Sequence, residues 1–427
     1  MKRIDFPRIG ESCFEEILPN GLTVRIIPKR GFAKKYAFLA VDFGSIDTDF
    51  TFEGRDYRVP DGIAHYLEHK MFDLPDANAM DLFAACGAYP NAFTSYDMTA
   101  YHFTCTENFE EALRILISMV LTPYFTEESV EKERGIIAQE IQMYRDSAQS
   151  SVGEDLFAAM FHHHPARIPI SGTVESIGEI TAQMLYDCYD AFYRPCNMIL
   201  CVAGDVDERN VIEIAKELSG NDCRPLPIRH YGMAEPLLPL HQKVEKQMEI
   251  SMPTFALGYG CSPSEKGLAG MVRELAGEIA TELLVGESSP LYQRLYESGI
   301  IDGDFSAGYE SIKDICLLSM GGDSESPELI RQAIEEEAGR ICAEGIDEVQ
   351  FQRLKRSAMG RRIRDLDSFD STCFRLCAYR MSDFDYFRFP EIYNAITSHQ
   401  VRSFLARIIR PERCSLSIIN TLKEETL

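Results

Sequence analysis

Apolar and polar residues repeat with two different periods along this chain, and the switches between them mark out its elements. Runs rich in β-branched and aromatic residues at 14–18, 22–27 and 36–43 predict strands, the first two joined by a hairpin turn at Asn20-Gly21 after Pro19. The stretch Ile63-Ala64-His65-Tyr66-Leu67-Glu68-His69 suits a helix, with Asp61 as its candidate cap. Residues 91–105, dense in Thr, Tyr and Phe, predict extended backbone again. Residues 110–119 and 127–145 carry apolar side chains at helical spacing.

Near the midpoint, residues 221–240 hold Pro225, Pro227, Pro236 and Pro239 around Gly232 and read as an extended linker. The same order of elements then returns. Residues 250–259 match the strand at 36–43, and 327–340 match the helix at 110–119. Ile346-Asp347-Glu348-Val349 runs on to Arg361-Arg362 much as Phe125-Thr126-Glu127-Glu128 runs on to Glu140-Ile141. The chain is thus expected to be two duplicated halves, residues 1–220 and 241–427, joined by 221–240. Its 427 residues suit two domains of about 200 residues each.

Composition narrows the partners. The balance of 43 basic against 67 acidic residues, a net charge of −24, argues against holding nucleic acid or anionic lipid by bulk electrostatics. The N-terminus breaks into Pro7, Gly10 and Glu11 before an apolar stretch of signal-peptide length forms, and no later run is long enough to cross a bilayer. Thirteen scattered cysteines, never spaced Cys-x-x-Cys, suggest neither a disulfide framework nor a thiolate zinc site. A cytoplasmic protein is expected.

Candidate chemistry begins at His65 and His69. Four residues apart on a helix, their imidazoles project from one face and can reach one Zn²⁺, while Glu68 stands on the same side where it can approach a water without being a ligand. The order His-x-x-Glu-His reverses that of the commoner zincins. The bland alternative is a solvated face that carries two histidines and a glutamate by coincidence. A catalytic zinc needs a third ligand, and Glu133 and Glu140, seven apart on the helix expected at 127–145, share a face beside Ile136, Ile137 and Ile141. Either these carboxylates solvate an exposed side or they serve the metal. His162-His163-His164 resembles a metal cluster, but consecutive residues converge poorly on one ion and Pro165 predicts a loop; His102 is expected to be a packed or exposed strand residue.

Several ordered motifs resemble those of the M16, or pitrilysin/insulinase, metallopeptidases, which include the mitochondrial processing peptidases. Asp61 to His69 resembles the family's zinc helix, and Asn91-Ala92-Phe93-Thr94-Ser95-Tyr96-Asp97-Met98-Thr99-Ala100-Tyr101 its substrate-facing strand. Glu131-Lys132-Glu133-Arg134, followed by Ile136-Ile137 and Glu140, is similar to the segment with the third ligand. Phe192-Tyr193-Arg194-Pro195-Cys196-Asn197-Met198 and Gly204-Asp205 resemble the end of the first domain. The resemblance implies an α+β fold of two duplicated α/β-sandwich domains, each a mostly antiparallel sheet packed with helices, of the type shared with LuxS and the processing peptidases. It implies one Zn²⁺ per chain on His65, His69 and Glu140, with Glu68 as general base and Glu133 steadying a ligand. Peptides would lie along Asn91, Ala92, Phe93 and Thr94.

The second half departs from this pattern. Beyond His241 the only histidine is His399, and an offset of 221 residues sets Leu354 at the place of Glu133 and Arg361 at that of Glu140. An Arg and a Tyr that many active family members carry there align with Tyr296 and Gly303. Single-length members of this kind pair into a four-domain clamshell around a chamber. The expectation is therefore a zinc endopeptidase for peptides or small unfolded polypeptides, paired with a paralogous subunit that supplies the Arg and Tyr, or with a second copy of itself. The alternatives are a scaffold or binding subunit of the same fold and metal-dependent hydrolysis of something other than a peptide.

Overall fold

A computed structural model of the protein describes residues 1–221, 224–263 and 265–422. Its strands in chain order are β1 (Lys2–Phe6), β2 (Glu11–Ile17), β3 (Thr23–Pro28), β4 (Lys35–Val41), β5 (Asp49–Phe52), β6 (Arg55–Arg58), β7 (Tyr89–Thr94), β8 (Thr99–Cys105), β9 (Met198–Gly204), β10 (Ile228–Arg229), β11 (Lys243–Met248), β12 (Thr254–Cys261), β13 (Ser306–Ile312), β14 (Ile315–Asp323) and β15 (Cys414–Thr421). Among the described residues they form three sheets, ordered β1-β2-β3-β9-β4-β8-β7, β10-β5-β6 and β11-β15-β12-β14-β13.

The duplication is visible in the topology. In the largest sheet every neighbouring pair is antiparallel except β3 with β9. In the five-stranded sheet the exception is β11 with β15. With β1 and β2 set aside, the order β3-β9-β4-β8-β7 repeats as β11-β15-β12-β14-β13, parallel pair included. The helices Phe109–Leu121 and Glu127–Asp146 follow β8 just as Pro327–Glu344 and Glu348–Arg364 follow β14. The fold is the expected pair of α/β sandwiches.

Compact packing nevertheless interleaves the halves. One unit comprises Met1–Ile141, Pro169–Tyr231 and Ile363–Arg388; the other comprises Gln142–Ile168, Gly232–Arg362 and Phe389–Leu427. The reason lies in the central strands, whose residues Tyr36–Val41 and Met198–Gly204 are buried without a break. Strands buried throughout must be covered on both faces. Ala37, Leu39 and Val41 join a core with Leu113, Leu116 and Ile117 of the Phe109–Leu121 helix. Phe38 points the opposite way, its ring 6.4 Å from that of Phe374 on the helix Phe369–Met381. That covering helix comes from late in the sequence. Reciprocally, the helix Ala148–Met160 packs on β12 and β15 of the second unit. A Cβ on Gly258 would lie 3.2 Å from Leu156, so the glycine permits the close approach.

The described residues of the segment 221–240 are not free. Ile228–Arg229 is β10 and pairs with Thr51 and Phe50 of β5. Arg229 Nε lies 3.1 Å from the fully buried carboxylate of Asp47, which also accepts a 2.8 Å hydrogen bond from the Tyr231 hydroxyl. No helix among the described residues is long and apolar enough to cross a membrane.

Candidate metal centre

The helix Ile63–Lys70 starts without a side-chain cap: its first position is Gly62, at a φ of 88°, and Asp61 does not fill the role expected of it. Packing explains the substitution of glycine for a cap. A Cβ on Gly62 would lie 2.4 Å from the Ser171 carbonyl oxygen and one on Gly172 2.5 Å from that of Asp61, so two backbones pass too closely for side chains. Ser176 Oγ donates to the Asp61 carbonyl at 2.8 Å and holds the crossing.

Two further bonds fix this helix against Glu127–Asp146. The Tyr66 hydroxyl donates to the Val130 carbonyl. The buried ammonium of Lys70 donates to the Ser129 carbonyl at 3.3 Å and pairs with Asp73. Tyr66 and Lys70 are four apart, as are His65 and His69, so tethering one pair orients the other. Sequence reasoning missed both tethers. Their only signal was the helical spacing, and a buried lysine looks like a solvated one until its partner is known.

The tethered helices bring His65, His69 and Glu140 together, one ligand atom from each lying within 4.8 Å of the others. His65 Nε2 is 3.6 Å from Glu140 Oε1, and His69 Nε2 is 3.4 Å from Glu140 Oε2. Two donors bound tetrahedrally to one zinc lie about 3.4 Å apart, so these separations suit the ion. The donor set agrees, being two imidazoles and a carboxylate. Glu133 takes a different place, its Oε1 3.0 Å from His69 Nδ1, the nitrogen turned away from Glu140.

Electrostatics point the same way. Burial acts to lower the pKa of His69, but hydrogen bonds to Glu133 and Glu140 overcome it and raise the value to about 9. Those bonds hold both glutamates below the usual carboxylate range; for Glu140 the bond to His65 acts first. Glu68 is different. It is 8% exposed, and burial raises its pKa although Thr94 Oγ1 donates to its Oε2 at 2.6 Å. Three carboxylates around two imidazoles make a site that favours positive charge.

Of the residues expected to meet a peptide, Asn91, Ala92, Phe93 and Thr94 all lie on β7, at an edge of the largest sheet where, among the described residues, only β8 is hydrogen-bonded to it. Phe93 packs beside Phe38 and Phe374, at 6.0 and 5.9 Å, on the face away from the helix Ile63–Lys70. His102, on β8, stacks on Phe38 at 5.9 Å, and burial lowers its pKa. The His162-His163-His164 run forms a loop in the other unit, its three main-chain N–H groups all donating to Glu235.

Comparison with known proteins agrees with this geometry. Residues 41–174 match the family model of insulinase, peptidase family M16, and residues 179–358 match that of the peptidase M16 inactive domain. The chain is 34% identical over 423 residues to the uncharacterized zinc protease YmfH of Bacillus subtilis, covering 97% of this chain and 98% of that one. A solved chain described as an M16-like peptidase, from Alicyclobacillus acidocaldarius, superposes with a TM-score of 0.92 at 31% identity, covering 96% of this chain and 99% of its own. A protease from Helicobacter pylori shares the fold at a TM-score of 0.81 and 19% identity, over 96% and 99% of the two chains. The repeated sandwich, the reversed histidine motif and these full-length relatives together establish that the chain belongs to the insulinase family, peptidase family M16.

Proposed function

We propose that the protein is a zinc-dependent endopeptidase acting on peptides or small unfolded polypeptides. The observation that carries this reading is the convergence of His65, His69 and Glu140 beside the buried carboxylate of Glu68. These three residues would hold the metal, and Glu133 would orient His69 through Nδ1. Zn²⁺ in such a site supplies Lewis acidity, polarising the scissile carbonyl and bringing the pKa of the attacking water toward about 7. Glu68 takes the proton from that water and returns it to the leaving amine. Burial suits it to the first of these steps, because a carboxylate with a raised pKa is a stronger base and takes the proton more readily.

An extended peptide added to the open edge of β7 would be held largely through main-chain hydrogen bonds, with little demand on its sequence. Tyr296 and Gly303, at the places expected of an Arg and a Tyr, support a requirement for a paralogous partner subunit. The test is zinc analysis together with peptide cleavage by wild type and Glu68→Gln, each alone and with whatever paralogue co-purifies. Cleavage lost in Glu68→Gln with zinc retained is the expected result. Retained cleavage refutes the base, robust activity of the isolated chain refutes the need for a partner, and silence of every wild-type preparation leaves a binding subunit.

A further inference from the structure

We propose that Thr94 is a positioning residue for Glu68, and that it fixes which carboxylate oxygen takes the proton; the inference rests on reading Glu68 as the base. Thr94 Oγ1 donates to Glu68 Oε2 at 2.6 Å, which leaves Oε1 as the oxygen for the water. Side chains alternate along β7, so Phe93, set against Phe38 and Phe374, puts Thr94 on the opposite face, toward the helix Ile63–Lys70.

The hydroxyl stands on a rigid support. Thr94 pairs with Thr99 as the last rung before the turn of the β7–β8 hairpin, which is closed by Ser95 N–H donating to the Met98 carbonyl at 2.7 Å. Residues 43–46 strap the tip. Ser45 and Ile46 N–H donate to the carbonyls of Ser95 and Tyr96, each at 3.0 Å, and Thr99 Oγ1 donates to the Phe43 carbonyl at 2.8 Å. A Cβ on Gly44 would lie 2.3 Å from the Tyr96 carbonyl oxygen, so strap and tip meet at backbone contact. A glutamate has three rotatable side-chain bonds. One short bond to a braced hydroxyl removes most of that freedom, and a base displaced by about 1 Å can cost on the order of 100-fold in rate. Thr94 was expected to contact the peptide; here its hydroxyl is already committed to the base, on the strand whose other edge is open.

Thr94→Val removes the hydroxyl at nearly constant shape and Thr94→Ser keeps it, so the two variants separate positioning from packing. For each, kcat and KM on a quenched fluorescent peptide, zinc content and a crystal structure are compared with wild type, using the full complex if a partner is needed. Expected for Thr94→Val is a fall in kcat of roughly 10- to 100-fold, with KM and zinc content unchanged and Glu68 displaced, while Thr94→Ser stays near wild type. A risen KM with unchanged kcat makes Thr94 a substrate contact and overturns the proposal, as does equal loss in both variants or an unmoved Glu68. Should Thr94→Val fail to fold, Thr94→Ala is held to the same outcomes. If wild type hydrolyses nothing but Glu68 still moves in Thr94→Val and not in Thr94→Ser, the positioning stands and the peptidase reading alone fails.

Discussion

Glu133 tests the logic of the proposed site most directly, because it touches His69 without touching the place where His65, His69 and Glu140 converge. Its Oε1 lies 3.0 Å from His69 Nδ1, and both side chains are less than a quarter exposed, at 18% and 23%. With His69 Nε2 facing Glu140, the carboxylate does two things: it keeps the proton on Nδ1, and it makes Nε2 a better electron donor. Loss of such an orienting carboxylate typically weakens metal affinity by about 10- to 100-fold, or roughly 1.4 to 2.7 kcal/mol. Glu133→Gln keeps an acceptor and loses the charge, so it falls at the mild end; Glu133→Ala falls at the severe end. Competition against a chromophoric chelator gives the zinc affinity, and peptide cleavage at saturating zinc gives kcat. Affinity should fall with kcat preserved to within about threefold, since the groups that handle the substrate are untouched. Wild-type affinity in Glu133→Ala, or a collapse of kcat at full zinc occupancy, would refute the reasoning.

Two further substitutions probe the scaffold. Lys70→Met keeps the apolar stem but deletes the ammonium that reaches the Ser129 carbonyl, and should cost about 1 to 3 kcal/mol; an unshifted melting temperature would show that the tether does not matter. Glu310 on β13 has its pKa raised by burial, with Ser319 Oγ donating to it at 2.7 Å. A carboxyl whose folded pKa lies above its unfolded one favours the folded state most when protonated, so stability falls as pH rises from the unfolded value to the folded one. Glu310→Gln should therefore raise the melting temperature at neutral pH, with the gain gone below about pH 4. An equal shift at both pH values would deny the titration.

Much of the candidate site was legible because its signal is local. Two histidines a helical turn apart need nothing distant to share a face, and Glu133 and Glu140 are likewise placed by the period of one helix. What remained hidden depends on contacts between segments far apart in the chain. Whether Glu133 or Glu140 meets the imidazoles at Nε2 follows from the register of two helices, set by Tyr66 and Lys70. Asp61 looked like a cap because aspartate commonly is one, but the close crossing with Ser171 and Gly172 overrides that preference. The bond from the Thr94 hydroxyl to Glu68 was hidden as well, since no pattern in its own strand discloses it. The duplication could be read from repeated order, yet the exchange of the helices Ala148–Met160 and Phe369–Met381 could not, because amphipathic spacing shows that a helix has an apolar face but not which sheet receives it.

That exchange also governs how the protein is made. The face of β4 and β9 that bears Phe38, Ile199 and Cys201 is covered by a helix that begins 165 residues after Gly204. At roughly 5 to 20 residues per second, translation reaches that helix on the order of ten seconds or more after the strands have left the ribosome. Until then the nascent first half carries an uncovered apolar sheet face, and a chain truncated before Phe369 would carry it permanently.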